Sequence, residues 1–315
     1  MLRKRSIFLF IVLIALMGVT LVLSTIEEQN QGVYENEKAF AIEDVSRIDR
    51  IIMEGADINN ELIKDKGIWR IQNQYEADPA MAQVLLQALN EVRIKRPVPG
   101  NHSRRISNDL ANKGIKVMVY EEDRLISSFL AGGDMEKRES YFADINKDEE
   151  PMIVYIPGYD NYVSGIFELK ESDWRNRVVF QSNWTSLQNV KVTYPNEPYN
   201  DFEIVFEDDF FHMPDVEQVD TAKMMAYIEL YNYVEAENYI SKEKFPKIDS
   251  LLKTSPFIKI EIKDLNSKKD NSLQLFKPVN TDQTLLGIVG NEQMAVVKYP
   301  KVQNLIKRRS DFNKN

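Results

Sequence analysis

Cysteine and histidine chemistry has almost nothing to draw on in this sequence, and clustered carboxylates are the first acid–base candidates to weigh. The chain has two histidines, His102 and His212, and no cysteine. Without cysteine there are no disulfides, thiolate metal sites, cysteine nucleophile or lipidated cysteine. Two histidines leave a Ser-His-Asp triad or a multi-histidine metal site almost nothing to draw on. Three acidic clusters remain: Glu121-Glu122-Asp123, Asp148-Glu149-Glu150 and Glu207-Asp208-Asp209. Paired carboxylates serve general acid–base and glycosidase chemistry. All three lie between short runs of alternating apolar residues, where hairpin turns are expected and charge is simply solvated. Asp144-x-Asn146-x-Asp148 opens like a calcium loop, but Glu149 stands where that loop needs glycine and Tyr155 where it needs a bidentate glutamate. A solvated turn is the expectation there.

The remaining candidates are weaker. His102 lies in the polar, basic stretch Asn101-His102-Ser103-Arg104-Arg105, and His212 alternates with apolar neighbours on an expected strand. Neither has a nucleophile or a metal-ligand partner nearby in sequence. Gly132-Gly133-Asp134 and Gly287-Ile288-Val289-Gly290 are followed by no Lys-Ser/Thr and open no expected helix, so they are not phosphate loops; the first is expected to be a turn. The residues therefore assign no catalytic group, no cofactor site and no metal site. Two stretches carry interaction chemistry instead. Asp173-Trp174-Arg175-Asn176-Arg177 is expected to be a structural clasp with a buried tryptophan and acid-paired arginines; its functional reading is a docking or ligand corner. The helix expected after Asp220 carries Met224, Met225, Tyr227, Tyr231, Tyr233 and Tyr239, a set that suits core packing, or an exposed surface for a protein partner.

The elements that must position these residues centre on one helix. Asp78 can cap the free N–H groups of its first turn, and Pro79 suits the first helical position. Met81, Leu85, Ala88, Leu89 and Val92 then form one apolar stripe. Before it, Leu62-Ile63-Lys64 and Ile68-Trp69-Arg70-Ile71 flank Asp65-Lys66-Gly67 as a hairpin. The run Arg96-Pro97-Val98-Pro99-Gly100 ends the helix. Ile115–Tyr120, Leu125–Leu130, Tyr141–Ile145 and Met152–Ile156 follow as strands.

This order recurs. Asp220 lies 142 residues after Asp78, and Phe257-Ile258-Lys259-Ile260 lies 143 residues after Gly114-Ile115-Lys116-Val117. Pro300 again stands 143 residues after Pro157. A helix with one apolar stripe must bury it, and a half-apolar antiparallel sheet is the available partner. The expected fold is therefore α+β, with two tandem pseudo-repeats, each a mainly antiparallel β-sheet packed against one amphipathic helix. The repeats are placed at 41–182 and 183–315, and the tail from Lys301 is expected to be a short helix fraying into a polar end.

An N-terminal transmembrane helix precedes them. Arg3, Lys4 and Arg5 are followed by the apolar run Ile7–Leu23, and Glu27-Glu28 comes soon after. This asymmetry places the N-terminus in the cytoplasm and the body outside. Residues 1–24 form the signal-anchor, with cleavage near Val22-Leu23-Ser24 the other reading, and residues 25–40 a linker. Net charge is −9, and without the three basic N-terminal residues 37 basic face 49 acidic residues, or −12. Such a surface repels phosphate backbones, which argues against a nucleic-acid partner.

Together, the anchor, Leu62 with Trp69-Arg70-Ile71, the Ala77-Asp78 helix start with Val84-Leu85-Leu86 and Leu89, Tyr141 with Val154-Tyr155, and Asp173-Trp174-Arg175-Asn176-Arg177-Val178 resemble the domain-of-unknown-function family 4340. The resemblance runs through residues 40–300. It implies a bacterial protein anchored in the envelope, often found beside components of gliding-motility-type ABC transporters. It implies no catalytic residues. The expectation for function is a membrane-anchored extracytoplasmic binding or accessory module for an ABC-type transport or gliding-like envelope complex, in the inner membrane and single-pass. The alternatives are a carboxylate-dependent envelope hydrolase or a structural spacer.

Overall fold

A computed structural model describes residues 37–134, 136–146, 150–159, 162–240, 253–277, 283–290 and 293–314. The expected membrane segment and most of the linker lie outside these residues, as do Asp148 and Glu149. Among the described residues no helix is long and apolar enough to cross a membrane. The chain divides into two compact units between Trp174 and Arg175.

The first unit contains β1 (Arg50–Glu54), β2 (Asn59–Asp65), β3 (Ile68–Ile71), β4 (Tyr75–Glu76), α1 (Pro79–Glu91), β5 (Arg93–Pro97), α2 (Gly100–Lys113), β6 (Ile115–Glu121), β7 (Arg124–Gly133), β8 (Ser140–Asp144), β9 (Met152–Tyr155) and α3 (Glu171–Trp174). The strands form one sheet in the order β4-β3-β2-β1-β6-β7-β8-β9-β5, with antiparallel pairs throughout. The β2–β3 hairpin turns at Lys66 (φ 49°) and Gly67 (φ 86°), and glycine reaches that left-handed region without a Cβ penalty.

Helix α1 starts as the sequence dictates. Asp78 accepts hydrogen bonds from the amides of Ala80 (2.8 Å) and Met81 (3.4 Å), and Pro79 occupies the first turn. The Asp78 amide itself donates to the carbonyl of Trp174 at 2.7 Å, so the last turn of the unit secures the start of its helix. The helix buries Ala82, Leu85, Ala88 and Leu89, and Ala82, Leu85 and Leu89 pack into a core that includes Ile51, Leu62, Val117, Phe129, Phe142 and Trp174. Phe129 and Phe142 stack with ring centroids 4.5 Å apart, and Phe40 and Phe167 meet both rings edge-on. Each such fully buried side chain contributes about 1.5–3 kcal/mol.

Two sequence expectations are corrected here. The chain after Val92 does not simply end a helix: it runs through edge strand β5 into a second helix, α2. Helix α2 buries only Ser103, Ile106 and Leu110, in a cluster with Val98, Tyr141 and Ile153. Tyr141 and Ile153 alternate along their strands with Phe142 and Val154, which belong to the main core. Successive strand residues point to opposite faces, so α1 and α2 cover opposite faces of the sheet. One helix per sheet was therefore too few for this unit. Gly132 and Gly133 are not a turn but the end of β7. A Cβ at Gly133 would collide with the Tyr162 ring, and one at Gly132 would come within 2.8 Å of Leu110. The pair lets two elements lie directly on the strand.

The second unit contains β10 (Val178–Phe180), β11 (Leu187–Thr193), β12 (Phe202–Glu207), β13 (Phe210–His212), α4 (Thr221–Glu229), β14 (Val234–Glu235), β15 (Asn238–Tyr239), β16 (Ile258–Asp264), β17 (Asn271–Phe276), β18 (Thr284–Val289), β19 (Gln293–Lys298) and α5 (Tyr299–Val302). Its main sheet has the order β13-β12-β11-β16-β17-β18-β19-β15, again antiparallel, and β10 pairs with β14. Because of that pairing the unit begins before β10, whereas the sequence puts the junction at 182/183. Helix α4 is capped by Asp220, which accepts from the Lys223 amide, and it buries Met224, Tyr227 and Ile228. The tail is not a fraying end. Val302, Leu305 and Phe312 are core residues, and the Asp220 amide donates to the Phe312 carbonyl at 2.7 Å.

Candidate functional site

The most concentrated buried polar chemistry among the described residues surrounds Asp264, at the end of β16. Asp264 is 7% exposed, and Ser182 beside it is buried. Oδ2 accepts from the hydroxyls of Ser182 (2.5 Å) and Ser186 (2.7 Å), and Oδ1 accepts from the Asn266 amide at 2.8 Å. Burial alone would raise its pKa; the two serine hydroxyls and the Asn266 amide outweigh burial and hold it below the usual carboxylate range. The Asp264 amide donates to Asp270 Oδ1, and the Leu265 amide to the Ser186 carbonyl, both at 2.8 Å. The Ser182 amide reaches back to the Tyr231 carbonyl at 2.9 Å. One carboxylate thus ties the loop before β11 to the loop after β16.

These two loops present large apolar side chains to solvent. Trp184 is 57% exposed and Leu265 70%. Leu187 stands opposite Asp264 in the sheet and Glu207 opposite Phe210, so the Glu207–Phe210 turn lies at this same end. Phe210 there is 74% exposed.

A second buried set sits beneath α4. Tyr231 donates to the Tyr227 hydroxyl (2.8 Å), Tyr227 donates to the Leu305 carbonyl (2.9 Å), and Tyr194 donates to the Lys307 carbonyl (2.5 Å). Burial pushes all three phenols well above their ordinary value. Of the two readings of the Tyr/Met set, core packing holds for most of it: Met224, Tyr227, Tyr231 and Tyr239 are buried, and Tyr233 is the exposed member. The reason is that the tail folds back onto α4, which the local sequence does not announce. A small cleft of about 300 Å³ remains beside the helix, lined by Ala226, Leu230 and Phe312 with Lys223, Lys307 and Asp311.

The other sequence candidates scatter. Glu121 closes ion pairs with Arg47 and Arg124, and the Glu122 amide donates to Asp49 at 2.8 Å. Asp208 and Asp209 occupy a hairpin turn with φ of 51° and 67°. Asp144 accepts from the Asn146 amide at 2.8 Å, the bond of a tight turn. Among the described residues no cluster of His, Asp and Glu has metal-binding geometry. His102 is exposed on α2, and His212 Nε2 lies 3.7 Å from Glu207 on edge strand β13. Trp174 is fully buried in the first unit. In the second, the Arg177 guanidinium donates to the Glu237 carbonyl at 3.1 Å, and Arg175 lies 5.7 Å from the Tyr239 ring centroid.

Sequence reasoning missed Asp264, Ser182 and Ser186. The one local signal was Asp264-Leu265-Asn266 closing an alternating strand, the pattern of an Asx turn. A family model described as Domain of unknown function (DUF4340) matches residues 69–250. Comparison with curated proteins and with solved structures finds no match.

Proposed function

The chain belongs to the DUF4340 family, and from that premise we propose that it is a membrane-anchored extracytoplasmic module that binds rather than transforms. On this reading the basic start and apolar run Ile7–Leu23 hold it in the inner membrane as a single pass with the N-terminus in the cytoplasm. The body serves an ABC-type transport or gliding-like envelope complex as an accessory. The observation that carries the binding reading is the use made of buried polar groups. The Asp264 carboxylate and the Tyr194, Tyr227 and Tyr231 hydroxyls all bond scaffold partners: Asp264 fastens two loops, Tyr194 and Tyr227 fasten the tail, and Tyr231 donates to Tyr227.

The body is further proposed to be one fold used twice. Supporting this, each sheet places its first, second and third strands outward in order and continues on the other side through the four later strands. Each also caps its long helix with an aspartate whose amide bonds a buried aromatic residue of a Ser-Asp-aromatic sequence, Ser172-Asp173-Trp174 or Ser310-Asp311-Phe312.

Purification of the detergent-solubilised full-length protein tests the role. Recovery of an ABC-type permease or ATPase subunit in stoichiometric amount is expected. Purification that repeatedly brings down no transporter component would overturn it.

A further inference from the structure

The end of the second sheet that carries Trp184 and Leu265 has an unexplained composition. Two large apolar side chains are lifted into solvent on loops fixed by a buried carboxylate. The Trp184 loop is also tied internally: Asn183 Oδ1 accepts from the Thr185 amide at 2.9 Å, and the Leu187 amide donates to the Asn183 carbonyl at 2.8 Å. The Leu265 loop continues into a short turn, Ser267–Lys269, where Asn266 Oδ1 accepts from the Lys268 amide at 3.2 Å. Holding exposed apolar groups rigidly lowers the entropy lost when they bury in something else. Around them stand Lys263 and Lys268, both exposed, and Lys269, partly exposed, with one exposed carboxylate, Asp270, closing the same loop.

We propose that this end of the second unit docks on the surface of a phospholipid membrane containing anionic lipid. Trp184 and Leu265 enter the interfacial layer, and Lys263, Lys268 and Lys269 lie at the headgroups. Tryptophan favours that layer because its ring is apolar at one end and donates a hydrogen bond at the other. Lysines beside it gain from the negative surface potential of the anionic lipid. Charge decides the orientation. The acidic turn Glu207-Asp208-Asp209 joins β12 to β13, and β12 lies two strands from β16, about 10 Å at the usual strand spacing. The contact is therefore one-sided, with the lysine flank toward lipid and the acidic flank, including Phe210, away from it.

The proposal rests on the reading of the protein as membrane-attached, and the chain contains its own reporter. There are three tryptophans, and Trp69 and Trp174 are buried at 9% and 0% exposure, which leaves Trp184 as the accessible one. Full-length protein is reconstituted with vesicles of phosphatidylcholine and phosphatidylglycerol, with and without brominated acyl chains. Flotation reports attachment, and tryptophan emission reports the tip. The expected result is quenching by brominated lipid, a blue shift, and protection of Trp184 from aqueous iodide. In Trp184→Phe the lipid-dependent quenching disappears. In Leu265→Asp, and in Lys268→Glu with Lys269→Glu, quenching falls several-fold while flotation and circular dichroism are unchanged. Protein that floats while Trp184 stays open to iodide and untouched by brominated lipid overturns the proposal alone, and leaves the patch to a protein partner. Protein that neither floats nor shows quenching overturns both this proposal and the anchor.

Discussion

Asp264 shows how a residue with no chemical motif can dominate a region. Its partners Ser182 and Ser186 lie 82 and 78 residues away, so no local pattern announces the cluster. Because its folded pKa is depressed, the ionised carboxylate stabilises the fold fully above the unfolded value near 3.8, and that contribution is lost as pH falls below it through the folded value. Asp264→Asn is expected to lower the melting temperature of the second unit at pH 7 and to flatten the acid side of its stability curve, as followed by thermal unfolding between pH 6 and 3. Trp174 carries a contrasting expectation. Its indole Nε1 is buried with no hydrogen-bond partner among the described residues. A buried donor without a partner is unfavourable, so Trp174→Phe should cost no more than about 1 kcal/mol despite the smaller ring. Trp174→Ala, which also empties the site, should cost about 3–5 kcal/mol in denaturant titration.

At the scale of elements, legibility followed locality. The β2–β3 hairpin and α1 were readable because Gly67, Asp78, Pro79 and the apolar stripe all sit within the elements they define. Asp78→Ala should therefore destabilise the first unit by about 1 kcal/mol, measured by chemical denaturation. Helix α2 was not readable: its buried side has three residues, one of them Ser103, and Pro97, Pro99 and Gly100 just before it look like a break. The tail departs from the expected fraying end for a related reason. Val302, Leu305 and Phe312 are spaced by short 3-10 turns and bury in the second core, Leu305 and Phe312 against Tyr227 of α4, not through a periodic face. Gly132 and Gly133 were legible as special positions but not as strand. Gly133→Ala is expected to displace Tyr162, whose hydroxyl donates to Glu168 at 2.5 Å, and to lower the melting temperature of the first unit.

For the molecule as a whole, the family match and the compact units do not share boundaries. The match begins at residue 69, inside the first sheet's hairpin, and ends at residue 250, before β16–β19 of the second sheet. A fragment cut at those residues lacks β1 and β2 of one sheet and the four strands that complete the other. It is expected to be insoluble or molten, whereas residues 37–174, which contain the first core and the Trp174 carbonyl that receives Asp78, should unfold cooperatively. Near-ultraviolet circular dichroism and denaturant titration of the two fragments check this. The division into two compact units agrees with the two-part spacing read from the sequence, although the boundary falls at Trp174/Arg175 rather than at 182/183. The polar cluster at Asp264 was not legible there, because three-dimensional neighbours need no regular separation.

The sheet margins bear on how such a chain stays unaggregated. Among the described residues the outermost strands are β4 and β15, of two residues each, β13, of three, and β5, which reads Arg93-Ile94-Lys95-Arg96-Pro97 and carries a register shift between Ile94 and Arg96. A free edge of this kind is a poor template for another backbone: it is too short, or it is charged, irregular and ended by proline. Two broad sheets can thus be exposed to a crowded compartment without recruiting strands from neighbouring copies.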